Sequence, residues 1–159
     1  MEIETPLSGN FIIEGLWCDS FYLLDDDLIR IVHHAGVKPT SITQAQENDY
    51  AQAIYCYISR AEKYQTQPDL AEFWSDFEKA IEPHIKHRSV AESDQITLTE
   101  SGAKANYTDV PSGKYYLFTH FQHLKLGYVF NLAIDTTVDR HLVLDSKNAA
   151  LNDYRQFCY

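Results

Sequence analysis

The stretch "YTDVPSGKYYLFTH", residues 107–120, is the part of the chain that decides its fold. Two runs of β-forming residues flank Pro111, Ser112 and Gly113, which are typical turn residues. Gly113 and the earlier Gly102 are expected to adopt a positive φ at turns. Side chains of the second run alternate between two bulky faces, which predicts a hairpin whose second strand is central and covered on both sides. One face has Tyr115, Leu117, Thr119 and Phe121, and the other has Tyr116, Phe118 and His120.

Strands are predicted on both sides of a central helical region. Residues 9–35 contain "GNFIIEG" between two glycines and then "FYLLDDDLIRIVHH" at 21–34. We interpret the second segment as a strand or hairpin, because it is rich in β-forming residues and is followed by an Ala-Gly pair. Residues 95–145 return to an alternation with a period of two, which predicts the remaining strands.

Residues 43–88 predict a helical hairpin. Apolar side chains recur there at steps of three and four residues, which places them on one helical face. Thr43 followed by Gln46 matches a capping box, and Pro68 is placed where the first turn of a second helix tolerates proline. The basic side chains within 84–88 suit the negative C-terminal end of a helix, so we expect the second helix to include them.

Together these segments predict one α+β domain over residues 1–159. Its expected architecture is an antiparallel β-sandwich with a two-helix insertion. The C-terminal tail, residues 146–159, is interpreted as a short helix or a tucked arm. A chain of 159 residues is long enough to bury a core without disulfide support.

The motif "TESGAKANYTDVPSGKYYLFT", residues 99–119, resembles the carboxypeptidase regulatory-like domains, which share the transthyretin-like, or prealbumin-like, sandwich. Comparable positions of the family pattern are filled, with Glu100 where the family has aspartate. These positions are Thr99, Gly102, Ala105, Tyr107, Val110, Gly113 and Tyr115. The resemblance implies that the strands form a transthyretin- or immunoglobulin-like sandwich. It implies no catalytic residue, because such sandwiches support many functions.

The charge of the chain narrows the class of partner. The formal net charge is −10, and the first 50 residues carry nine acids against Arg30 and Lys38. Phosphate backbones require lysine and arginine for binding, so nucleic acid and anionic membranes are disfavoured. No segment approaches the length of a membrane span. The acidic field favours either solubility alone or a basic protein partner.

No combination of residues in the sequence indicates catalysis, a metal or a cofactor. His120 and His123 have a spacing seen at metal sites, but they flank a predicted strand end without nearby cysteine or carboxylate ligands. The run Asp25–Asp27 lacks the glycine and terminal glutamate of a calcium loop. There is no nucleophile elbow and no glycine-rich phosphate loop, and Cys56 is interpreted as a small buried residue.

Three cysteines, Cys18, Cys56 and Cys158, allow one internal disulfide at most and leave the redox compartment open. No signal peptide is visible. The expected compartment is the cytoplasm if the chain begins naturally at Met1, and the periplasm if Met1 replaces a removed signal peptide.

The sequence favours a non-enzymatic acidic protein that neutralises a basic protein partner, as a toxin-neutralising immunity protein does. The acidic N-terminal region and the helical insertion are the predicted contact elements. The predicted partner-binding residues are Glu14, Asp19, Asp25, Asp26, Asp27, Trp74 and Glu78. Two alternatives remain: a structural or accessory module of the bacterial cell envelope, which the resemblance favours, and a metal-dependent or hydrolytic enzyme.

Overall fold

A computed structural model of the chain describes residues 9–15, 20–38, 49–61, 68–90, 96–99, 102–123, 126–138, 141–145 and 147–151. The strands are β1 (Gly9–Gly15), β2 (Ser20–Leu24), β3 (Ile85–Val90), β4 (Ile96–Thr99), β5 (Gly102–Val110), β6 (Lys114–His123), β7 (Leu126–Asp135) and β8 (His141–Val143). The helices are α1 (Leu28–His34), α2 (Tyr50–Ala61) and α3 (Pro68–Ile81), and a 3₁₀ helix spans Glu82–His84. The described part of the fold is therefore α+β.

The strands form two four-stranded sheets. The first sheet has the order β4-β5-β1-β8, and the second sheet has the order β3-β2-β6-β7. Neighbouring strands are antiparallel, except that β8 runs parallel to β1. Each sheet combines strands from before and after the helices α2 and α3, so the two parts of the chain form one structure.

The prediction of strand or hairpin for residues 21–34 is wrong in its second half. The strand β2 ends at Leu24, and residues 28–34 form the helix α1. Asp27 caps the first turn, because its carboxylate accepts hydrogen bonds from the backbone N–H groups of Ile29 and Arg30. The helix also buries Leu28, Ile31 and Val32 in one core with residues of α2 and α3. The cap and this burial together outweigh the strand preference of the β-branched residues.

The two predicted helices are confirmed within the described residues, but the predicted end of the second helix is wrong. α3 begins at Pro68, as expected, whereas the Thr43–Gln46 cap lies outside the described residues. The helix ends at Ile81 and does not include the basic residues 84–88. Residues 85–90 instead form β3, which pairs with β2 at the edge of the second sheet, and these backbone hydrogen bonds override the helix-end charge pattern.

The stretch 107–120 is not a hairpin. β5 pairs with β1 and β4 in the first sheet, whereas β6 pairs with β2 and β7 in the second, so Pro111–Gly113 carries the chain from one sheet to the other. The turn is bonded to the end of β7 through the Gly113 N–H, which donates to Thr136 Oγ1 at 3.0 Å. Gly113 does not have a positive φ, but Gly102 does, at 142°.

The central position of β6 is confirmed. β6 lies between β2 and β7, and its two faces belong to two different clusters of buried residues. Phe118 packs with Phe77 and other residues of the helices in one cluster, here called the helix-side core. Leu117 packs in the other cluster, here called the sheet-side core, whose buried residues come from both sheets. The Tyr107 hydroxyl of β5 donates to the Phe21 carbonyl of β2 at 2.6 Å and joins the sheets.

Candidate functional site

Three aspartates form the turn between β2 and α1, here called the acidic turn (Asp25–Asp27). Asp25 contacts two basic side chains of the following strand region: its carboxylate lies 2.7 Å from His84 Nδ1 and 3.6 Å from Lys86 Nζ. Its backbone N–H also donates to the His84 carbonyl at 3.0 Å. Asp25 therefore fixes the turn to the start of β3.

The other two carboxylates of the acidic turn are also engaged within the chain. Asp26 accepts the Asp27 N–H at 2.8 Å and lies 3.3 Å from Arg30 Nη1. Asp27 caps α1 and accepts a hydrogen bond from Asn131 Nδ2 at 3.2 Å. The amide of Asn131 in turn accepts the Leu28 N–H and donates to the Tyr55 hydroxyl, so it connects α1, α2 and β7.

Glu14 lies apart from the acidic turn, on β1 of the first sheet. Its carboxylate lies 2.6 Å from His141 Nε2 and 3.7 Å from Lys104 Nζ, and both partners belong to neighbouring strands. Within the described residues, no contact joins it to another predicted partner-binding residue. Asp19 lies outside the described residues.

Trp74 and Glu78 are brought together by the structure. They are four residues apart on α3, which places them on one side of the helix. Both line a narrow cleft of about 120 Å³ between α3 and the second sheet, here called the α3 groove. The helical side of the groove is lined by Trp74, Phe77, Glu78, Ile81 and Glu82, and the sheet side by Tyr22, Ile85, Arg88, Phe118 and His120.

Aromatic rings form a fixed base for the α3 groove. Tyr22 stacks on Phe118 with ring centroids 5.7 Å apart, and Phe77 meets Phe118 edge to face at 5.5 Å. Trp74 meets the ring of His120 edge to face at 5.6 Å. Offset and edge-to-face pairs at these distances are favourable, so the rings are held in place by one another as well as by burial.

The charges of the α3 groove are unevenly paired. Arg88 donates to Glu82 at 2.6 Å, and its guanidinium lies over the Tyr22 ring, 5.6 Å from the centroid. Glu78 is exposed and has no ion-pair partner among the described residues. As far as the structure describes the chain, the groove therefore has one paired carboxylate at the Arg88 end and one without an ion-pair partner at the Trp74 end.

Part of this groove was missed by the sequence reasoning. Tyr22, Glu82 and Arg88 were not predicted as binding residues. His120 was predicted on one bulky face of the strand and was considered as a metal ligand together with His123. The His123 side chain lies outside the described part of the chain, whereas the His120 ring stacks on Phe118. No group of three metal-ligating side chains occurs among the described residues.

A second cleft of about 320 Å³ lies between the start of α2 and residues 149–151. It is lined by Asp49, Ala51, Gln52, Tyr55, Ala149, Ala150 and Leu151. Asp49 accepts the Gln52 N–H at 3.0 Å, and the Tyr55 hydroxyl accepts from Asn131. Burial raises the pKa of Tyr55, so this phenol stays neutral at physiological pH. These polar groups hold α2 in place, and no ligand chemistry follows from them.

Cys56 is buried in α2, as expected, and it is also disulfide-bonded. The chain has two other cysteines, Cys18 and Cys158, and both lie outside the described residues. Disulfides persist in oxidising compartments and are rare in the cytosol.

Comparison of the chain with protein-family models, with curated proteins and with solved structures found no match. Of the helices that the structure describes, none has the length and apolar character needed to cross a membrane.

Proposed function

We propose that this protein is a non-enzymatic acidic binding protein that blocks a basic protein partner, in the manner of a toxin-neutralising immunity protein. The observation that carries the proposal is the α3 groove, where Trp74 lines one cleft with Glu78, a carboxylate that has no ion-pair partner in the described part of the chain. Tryptophan is one of the residue types enriched among those that contribute most of the binding energy at protein interfaces. The groove also fits the net charge of −10, because complementary charge accelerates encounter with a basic partner.

We also infer that the two sheets pack face to face as a transthyretin-like sandwich, as the sequence resemblance implies. Two observations support this interpretation: buried residues of both sheets share the sheet-side core, and Tyr107 donates across to Phe21. The helices pack on the other face of the second sheet. In this arrangement the α3 groove lies on the outside of the sandwich, where a partner can reach it.

A second candidate function is an accessory module of the bacterial cell envelope. The disulfide at Cys56 favours it, because it points to an oxidising compartment. The two functions make different predictions about activity. An immunity protein reduces the activity of the partner that it binds, whereas an accessory module leaves it unchanged or supports it.

The experiment is affinity capture from cytosolic and envelope fractions of the source organism, followed by an activity assay of the captured protein. Glu78→Lys tests the groove, and Asp76→Lys is the matched control, because Asp76 is also exposed on α3 but does not line the groove. We expect the wild type and Asp76→Lys to retain one basic protein in equal molar amount and to inhibit it, and Glu78→Lys to lose it. Absence of a stoichiometric partner, or an uninhibited partner, would contradict the proposal.

A further inference from the structure

The Trp74–Glu78 end of the α3 groove combines an aromatic ring with a carboxylate. Trp74 is half-buried and lines the groove, and Glu78 follows it by one helical turn. Glu82 continues the same row at the start of the 3₁₀ helix. A cation that binds at this end has an indole ring and a carboxylate within one cleft. Phe77 stacks on the indole with ring centroids 5.4 Å apart, so the cation contacts the part of the ring that Phe77 leaves free. Indole is the aromatic ring that attracts cations best, and hydrogen bonds between ionised groups are the strong ones.

The other end of the groove already holds such a cation. Arg88 lies over the Tyr22 ring and donates to Glu82, so one guanidinium of the chain itself uses an aromatic ring and a carboxylate of this groove. At the Trp74 end the equivalent pair of groups is present without an arginine from the described residues. The contacts of Arg88 thus indicate which type of side chain the Trp74–Glu78 end can bind.

The size of the groove suits one side chain better than a whole small molecule. Its volume is about 120 Å³. Clefts for whole small molecules usually have about 300 Å³ or more. Arginine fits better than lysine, because its planar guanidinium stacks on aromatic rings and donates two parallel hydrogen bonds to a carboxylate.

We propose that the Trp74–Glu78 end of the α3 groove binds an arginine side chain of the protein partner. This inference rests on the proposed function, because it identifies the residue type through which the blocked partner is recognised. The guanidinium stacks on the indole of Trp74 and donates to the carboxylate of Glu78, while Arg88 remains paired with Glu82.

The test uses the tripeptide acetyl-Gly-Arg-Gly-amide, with citrulline in place of arginine as a neutral probe of the same shape. Binding is followed by NMR through the Trp74 indole N–H, and Trp74→Phe assigns this resonance by deleting it, since the chain has two tryptophans. We expect saturable shifts with the arginine peptide and binding about tenfold weaker with the citrulline peptide. Glu78→Lys abolishes the shifts, whereas Asp76→Lys, with the same change of charge, preserves them.

Equal binding of the citrulline peptide, or shifts that survive in Glu78→Lys, would overturn the inference. The two proposals fail separately. If a basic partner is captured and inhibited but the arginine peptide does not bind, arginine recognition is wrong and the proposed function stands. If the peptide binds but no partner is captured, the groove binds arginine and the proposed function is wrong. The backbone spectrum of Glu78→Lys establishes that the variant is folded.

Discussion

The acidic turn and the Trp74 end of the α3 groove both present carboxylates, but their surroundings differ. In the acidic turn the carboxylate of each aspartate accepts a hydrogen bond or forms an ion pair within its own chain. At the groove Glu78 is exposed and unpaired among the described residues, next to a half-buried tryptophan. A carboxylate already satisfied by its own chain has less to gain from a partner than one that is not. A dense run of acids is therefore a weaker indicator of a binding surface than one carboxylate placed beside an aromatic ring.

The largest expected effect on stability is that of Asp27→Ala. The variant removes the cap of α1 and leaves Asn131 without one of its partners, so we expect the free energy of unfolding to fall by about 1–3 kcal/mol. Asp25→Ala is the matched control in the same turn, and it removes exposed ion pairs with an expected cost of about 0–1 kcal/mol. Urea unfolding measures both. Equal losses in the two variants would remove the structural role assigned to Asp27.

A smaller effect concerns His87 on β3, the strand that also carries Arg88. Burial lowers the pKa of His87, whose ring lies against Tyr107 and Tyr115. The unfolded chain then binds a proton more readily than the folded one, so the free energy of unfolding decreases as pH falls from about 7 through about 6.5, the ordinary pKa of histidine. We expect His87→Gln to flatten this decrease, with His34→Gln, which removes an exposed histidine, as the control. An unchanged slope in His87→Gln would show that His87 does not cause the decrease.

The smallest expected effect is that of Glu78→Lys on stability. Glu78 is exposed and makes no ion pair among the described residues, so the free energy of unfolding of the Glu78→Lys variant should stay within about 0.5 kcal/mol of the wild-type value. Asp76→Lys should behave in the same way. Thermal unfolding of both variants is the measurement, and a markedly lower Tm for Glu78→Lys alone would assign this side chain to the fold and weaken its role in binding.

The elements set by local pattern were predicted well, and those set by distant pairing were not. The apolar period of three to four residues correctly predicted α2 and α3 where they are described, and the alternation in 114–121 correctly predicted a strand with two buried faces. Residues 28–34 were predicted wrongly because the cap at Asp27 and the burial of one face of α1 decide the structure, and the β-rich composition shows neither. β3 was missed because its pairing partner, β2, lies some 60 residues earlier in the chain.

The candidate site could be predicted only in part for the same reason. Trp74 and Glu78 share one helix, so their joint exposure follows from helical spacing. Tyr22 and Arg88 reach the groove through the pairing of β2 with β3, in which they are directly opposite each other. No local pattern gives this register. In the same way, no local pattern shows that the two strands of 107–120 join different sheets, so this segment was wrongly predicted as a hairpin.

We propose that partner binding depends on the α3 groove and not on the acidic turn. The most direct test is the dissociation constant of the captured partner for three variants, each of which removes one negative charge with little change of shape. Glu78→Gln changes the groove, Asp76→Asn the outer side of α3, and Asp25→Asn the acidic turn. We predict a loss of affinity of about tenfold or more for Glu78→Gln and about threefold or less for the other two. A loss for Asp25→Asn as large as that for Glu78→Gln, or no loss for Glu78→Gln, would contradict the claim.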